Sequence, residues 1–338
     1  LDISKKLMKD LLKNLRPSDR FNIILFAGGS EVMASQSLTA TETNITNASN
    51  WIDKQQGGGG TELLPALARA LAMNVPEGFS RSFVIATDGY VSIEQQAFDL
   101  IRKNLNKANF FPFGIGSSVN RHLIEGMAHV GMAIPFIVEK PELATLAAEK
   151  FRKYIEQPVL TNISVSYNGF ETYDVEPLTV PDVLSERPVI IYGKWKGNAS
   201  GTVTLKGKSG DRDYMQTLKV ADFKAVSGNV AIKYLWARER IKILDDYMIT
   251  GQNEERVKTV TSLGLKYNLL TNYTSFIAID SEVRNIGGNQ TTVKQVLPLP
   301  EGVSNYAIGS AAQSYSGTGG GLRTNRCDKS VSYSSQSL

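Results

Sequence analysis

Thr61 and Asp88 are the residues of this chain whose types and setting best suit chemistry. Each lies on a glycine-buffered stretch: Thr61 follows Gly57, Gly58, Gly59 and Gly60, and Asp88 precedes Gly89. Four successive glycines admit backbone angles that other residues resist. A hydroxyl and a carboxylate on tight loops are hard oxygen donors, the kind that Mg²⁺ and its relatives take in octahedral geometry while keeping some waters. The same residues also have an ordinary reading. Asp88-Gly89 then ends a strand in a turn, and Thr61 is the N-cap of a helix beginning at Glu62.

Other constellations carry less. His122 and His129 lie seven positions apart, not at the i, i+4 spacing of a zinc-binding helix, and Leu123 rather than Glu follows His122, so both read as surface or packing histidines. The glycine run ends in Thr61-Glu62 without the Lys-Ser/Thr of a phosphate-binding loop. Ser92 and Ser117 have no motif that places a histidine beside them. Trp236 and Tyr273 read as core or interdomain anchors. Asn-x-Ser/Thr triplets begin at Asn44, Asn47, Asn162, Asn198, Asn272 and Asn289; in a chain nearly free of cysteine, chance explains them.

The elements that must position Thr61 and Asp88 follow from periodicity. Ile3, Leu7, Leu11 and Leu15 form the stripe of an amphipathic helix that ends before Pro17. Phe21 to Ala27 is a mostly apolar run, the pattern of a strand buried on both faces in a parallel sheet. Glu31 to Leu38 suggests a short edge strand. Helices are expected over 43–55, 62–73, 92–105, 119–129 and 141–155, and strands over 82–87, 110–115 and 132–138. Strands alternating with helices specify an α/β domain, a doubly wound and mostly parallel sheet with helices on both faces. In such a sheet, ligands sit beyond the carboxyl ends of the strands, where the Asp88 turn falls.

From Pro158 short alternating segments appear at 162–167, 189–194, 201–205 and 214–220, separated by Gly, Pro and Asn turns. Helical periodicity returns over 229–263 with a break at Gly251, giving two packed helices. Ser275 to Asp280 reads as a closing strand and Asn289 to Pro300 as an extended segment. Beyond Gly302 the composition turns to Ser, Gly, Tyr and Gln and cannot assemble a core.

Composition narrows the function classes. The 338 residues are 42% hydrophobic and 21% charged, within the ordinary globular range and long enough for two cores. Lys+Arg 37 against Asp+Glu 33 leaves +4, too dispersed for a nucleic-acid surface. A single cysteine, Cys327, supplies neither a disulfide framework nor a thiolate metal site. No apolar run reaches the roughly 18 residues of a membrane span. The first residues lack the apolar core of a signal peptide.

The ordered motifs resemble a known family. Asp19-Arg20-Phe21-Asn22 before an apolar strand, the run from Gly57 to Leu63, and Ala86-Thr87-Asp88-Gly89 occur in that order in the type A domain of von Willebrand factor. They are closer still to the subgroup that joins this domain to a vault/inter-alpha-trypsin-inhibitor module. Trp236-Ala237-Arg238, Leu263 to Thr271, and Tyr273-Thr274-Ser275-Phe276 are similar to the region after the type A domain in inter-alpha-trypsin-inhibitor heavy chains and their bacterial relatives. The resemblance covers residues 1–300 and suggests a bacterial member.

It implies a metal-ion-dependent adhesion site built from three loops, with Thr61 matching the second and Asp88 the third. The first, Asp-x-Ser-x-Ser, has no match: Asp2-Ile3-Ser4 is followed at the next alternate position by Lys6. The resemblance therefore implies an N-terminally truncated domain over 1–156 without its first strand and first metal loop, a β-rich and helical segment over 157–300, and a disordered tail over 301–338. It implies a non-enzymatic protein-interaction or adhesion module in which Mg²⁺, Mn²⁺ or Ca²⁺ bridges to an acidic side chain of a protein partner. In the chain as given, that cation would be held weakly or not at all. Secretion or the cell envelope is the implied location. The rival readings are an envelope component in which metal plays no part, and an α/β enzyme that uses Asp88.

Overall fold

The computed structural model describes residues 1–26, 29–56, 62–76, 78–88, 94–223, 226, 228–248 and 253–277. These belong to one compact unit, Leu1–Ile277. In chain order it begins with α1 (Asp2–Lys13), β1 (Arg20–Phe21), β2 (Ile24–Phe26), β3 (Ser30–Val32), β4 (Leu38–Thr39), α2 (Glu42–Asp53) and α3 (Leu63–Ala72). Next come β5 (Ser82–Thr87), α4 (Glu94–Arg102), β6 (Asn109–Ile115), α5 (Arg121–Val130), β7 (Phe136–Val138) and α6 (Glu142–Ile155). The remaining elements are β8 (Pro158–Asn168), β9 (Thr172–Glu176), β10 (Val183–Leu184), β11 (Tyr192–Trp195), β12 (Thr202–Ser209), β13 (Arg212–Lys219), α7 (Ala231–Met248) and α8 (Glu254–Lys266).

β5, β6 and β7 form a parallel sheet with β6 in the middle, in register Thr87↔Gly114 and Ile115↔Val138. All seven residues of β6 are buried, because its side chains alternate between two apolar cores. Phe110 faces Phe98, Ile101, Leu123 and Met127 from α4 and α5. Phe111 and Phe113 face Leu7 of α1, Phe136 of β7, and Ala148 and Phe151 of α6. Phe113 stacks on Phe136 with centroids 4.5 Å apart, and Phe111 meets Phe151 edge-on at 5.1 Å. Each buried phenyl contributes about 1.5–3 kcal/mol of transfer free energy. The close approach of α4 to α5 depends on Gly126, where an added Cβ would clash with the Cζ tip of the Phe98 ring.

The run Phe21 to Ala27 departs from the sequence expectation. Its described part makes two short antiparallel pairings, β1 with β4 and β2 with β3, and β2 is only half-buried. Asn22 is the reason for the break. Its Oδ1 accepts from the Ile23 amide at 2.9 Å and the Ala34 amide at 3.2 Å, and its Nδ2 donates to the Ala34 carbonyl at 2.7 Å. A side chain thus replaces ladder bonds between the two pairings. Among the described residues β2 pairs only with β3 and β5 only with β6, so each keeps one free edge. Other boundaries shift: α4 ends at Arg102 instead of 105, β7 starts at Phe136 instead of 132, and 275–277 are not in a strand. The remainder of the expected closing strand, the 289–300 segment and the tail lie outside the described residues.

In the later part β8 lies between β10 and β12, and β13 forms one edge of this antiparallel sheet. β9 pairs with β11. The expected helical pair is α7 and α8. Trp236 of α7 is an anchor: it is 5% exposed, donates from Nε1 to the Asp174 carbonyl at 3.1 Å, and carries Lys194 Nζ over its ring at 3.6 Å. Tyr273, by contrast, is 36% exposed. A charged cluster joins the two parts of the unit. Glu176 of β9 accepts from Arg102 of α4 at 2.6 Å and from Arg240 of α7 at 2.5 Å. Tyr247 of α7 donates to Asp99 of α4 at 2.6 Å.

Candidate metal site

Parallel register brings the carboxyl ends of β5, β6 and β7 to one rim. Thr87, the last residue of β5, is buried, and Asp88 just beyond it is exposed. The chain turns away from β6 at Gly116, whose φ of 92° lies in the left-handed region that favours glycine. Its amide donates to the Val138 carbonyl at 2.9 Å, tying the loop to the end of β7. Asp88 makes no hydrogen bond or ion pair among the described residues.

Two further polar residues occupy this rim. Asn120 caps α5, its Oδ1 accepting from the Leu123 amide at 3.1 Å, and its Nδ2 donates to Glu94 Oε1 at 3.2 Å. Glu94 opens α4 and is 7% exposed, and its Oε2 is buried without a hydrogen-bond partner among the described residues. A carboxylate in the first turn of a helix benefits from the helix dipole. An orphaned buried oxygen is unusual and signals an ion, a water or stored strain. Sequence reasoning did not single out either residue. The contact spans 26 positions and has no local signature, although an asparagine three residues before Leu123 at a helix start is a capping signal.

Thr61, Gly57, Gly58, Gly59, Gly60 and Gly89 lie outside the described residues. The ordinary reading of Thr61 starts its helix one residue early: α3 begins at Leu63, and the N-cap is Glu62, which makes no side-chain cap bond. Asp2-Ile3-Ser4 lies in the first turn of α1, as befits a chance match. His122 serves packing, and His129 makes a polar contact. His122 meets the Phe98 ring edge-on at 6.0 Å, and His129 Nδ1 lies 2.9 Å from Asp246 Oδ2. Among the described residues no three Asp, Glu, His or Cys side chains converge on one point, and no helix is long and apolar enough to cross a membrane. The donor chemistry that is present, an exposed carboxylate and an orphaned carboxylate oxygen on the same rim, fits a hard divalent cation.

Comparison with known proteins agrees with this architecture. Residues 2–132 match the family model of the von Willebrand factor type A domain. The chain is 27% identical over 290 residues to a von Willebrand factor A domain-containing protein of Dictyostelium discoideum, covering 82% of this chain and 14% of that protein. It is 24% identical over 320 residues to inter-alpha-trypsin inhibitor heavy chain H3 of Bos taurus, covering 87% of this chain and 36% of that protein. The chain therefore spans well under half the length of these relatives. Both are eukaryotic, and a bacterial source rests on the sequence resemblance alone. Among solved structures, the von Willebrand factor type A protein from Catenulispora acidiphila is similar in fold, with a TM-score of 0.51 at 16% identity over 79% of this chain and 75% of that one. Over residues 2–132, then, the chain is similar to the von Willebrand factor type A domain family, and its curated relatives carry that domain in their names or the inter-alpha-trypsin inhibitor heavy-chain name.

Proposed function

We propose that this chain is a non-enzymatic protein-interaction or adhesion module whose intact protein engages an acidic side chain of a partner through Mg²⁺, Mn²⁺ or Ca²⁺ at the carboxyl rim of the sheet. The observation that carries the reading is the position of Asp88: exposed, directly beyond β5, with its carboxylate free of partners among the described residues. A bound cation would supply a positive centre with a coordination position open to an incoming carboxylate. Asp88 would hold it with one oxygen and Thr61 with another, and glycines 57–60 and Gly89 would let both loops turn tightly.

The division into a type A domain over 1–156 without its first strand, a segment over 157–300 and a tail over 301–338 belongs to the same proposal. It is supported by the free edges of β2 and β5, whose Phe26 and Phe83 pack against one apolar core. A further extended strand would satisfy both edges. Secretion or the cell envelope is the proposed location.

Calorimetric titration of Mg²⁺ and Mn²⁺ into the full-length protein, alongside Thr61→Ala and Asp88→Ala, tests the reading. Both variants are expected to lose affinity while keeping the wild-type melting temperature. Equal affinity in all three proteins would remove the cation from the account. Turnover of generic phosphate or ester substrates that vanishes in Asp88→Ala would replace an interaction module with an enzyme.

A further inference from the structure

Among the described residues, Glu94 is an acidic group on the rim with a structural anomaly. It is 7% exposed, its Oε1 is fixed by Asn120 Nδ2 at 3.2 Å, and its Oε2 is buried with no partner among the described residues. Leaving such an oxygen unmatched costs about 1–3 kcal/mol, more when it is charged. Such an oxygen signals an ion, a water or stored strain, and a bound ion or its water would offset the cost. Asp88 follows the last residue of β5, Glu94 opens α4, and Asn120 caps α5, which follows β6. The first of these carboxylates is exposed and the second buried.

We propose that Glu94 is an outer ligand of the cation held at Asp88, its Oε2 accepting a hydrogen bond from a cation-bound water, with Asn120 fixing the carboxylate in orientation. This rests on the reading of Asp88 as a metal ligand. Divalent cations of this class retain several waters, and carboxylates that orient such waters affect affinity by about 10–100-fold. Glu94 thus connects the Asp88 loop to the cap of α5, so that cation binding tightens the contact between α4 and α5.

The probe is Mn²⁺ alone, titrated into the full-length protein and followed by NMR line broadening and by melting temperature. Glu94→Gln, which keeps an acceptor for Asn120, is expected to weaken Mn²⁺ binding about 10-fold and to leave the metal-free melting temperature unchanged or raised. Asp88→Ala is expected to abolish binding. If Asp88→Ala abolishes binding and Glu94→Gln binds as tightly as wild type, the role of Glu94 is overturned and that of Asp88 stands. If Asp88→Ala binds normally, the reading of the rim as a metal site fails, and the role of Glu94 with it. A readout independent of any variant is the Asn120 side-chain amide of the wild-type chain. Its early broadening by substoichiometric Mn²⁺ supports the proposal, and its persistence to saturation overturns it.

Discussion

Asn120 bonds in two directions: Nδ2 donates to Glu94 Oε1 at 3.2 Å, while Oδ1 accepts the Leu123 amide at 3.1 Å. One side chain thereby joins the first turn of α4 to the cap of α5. Asn120→Ala removes a helix cap, at about 1 kcal/mol, and leaves both oxygens of a buried carboxylate unmatched, at about 1–3 kcal/mol. Urea denaturation should show a loss of about 2–4 kcal/mol. A loss below about 0.5 kcal/mol, the range of surface substitutions, would mean that the contact does not hold in solution.

Gly126→Ala drives a methyl against the Cζ tip of the Phe98 ring, and overpacking of this kind costs about 1–3 kcal/mol. Phe98→Leu alone is also expected to destabilise. Because the two residues touch, the double variant should be more stable than the sum of the two losses implies. Strict additivity in denaturation midpoints would contradict the close approach of α4 and α5.

Glu176, 4% exposed, is shared by Arg102 and Arg240. Burial alone would lower the Arg102 pKa, but the hydrogen bond and charge of Glu176 outweigh it and hold the guanidinium above its ordinary value. Removing the acid leaves Arg102 buried without its counter-ion, so Glu176→Ala should cost about 3–5 kcal/mol. Glu176→Gln should fall between that variant and wild type, because an acceptor survives without the charge. Circular dichroism melts would rank the three.

Asp245 has a buried, unpartnered Oδ1. Burial raises its pKa above the ordinary 3.8, the charge of Asp246 adds to the rise, and a hydrogen bond with Asn272 opposes it. Since the folded value exceeds the unfolded one, the contribution to stability is present below about 3.8 and is lost as pH rises through the folded value. At neutral pH the ionised group is a net cost. Asp245→Asn should therefore melt higher than wild type at pH 7, and the gap should close as the pH falls below 3.8. A gap independent of pH would assign the effect to packing.

Much of the fold is legible in the sequence because its signals are local. The apolar run 110–115 has no polar side chain, and a strand with no polar face must be buried on both, as β6 is. The stripe from Ile3 to Leu15 names its buried face, where Leu7 and Leu12 lie. The run Phe21 to Ala27 misleads because Asn22, one polar residue at its start, bonds across to Ala34, a partner that hydrophobic periodicity cannot reveal. The same limit applies to the rim. Asp88 can be found because Gly89 marks the end of a strand, whereas Glu94 resembles any surface glutamate at a helix start until the fold places Asn120 against it and shields its second oxygen.

The burial of β6 on both faces also gives the molecule an internal clock. Amides at the centre of this strand, such as those of Phe111 and Phe113, lie in the β5–β6 ladder between two cores. They should exchange with deuterated solvent only when the whole unit opens, while amides near Asp88 exchange through small local fluctuations. Protection factors at the two places thus separate a cation that merely braces a loop from one that stabilises the entire domain.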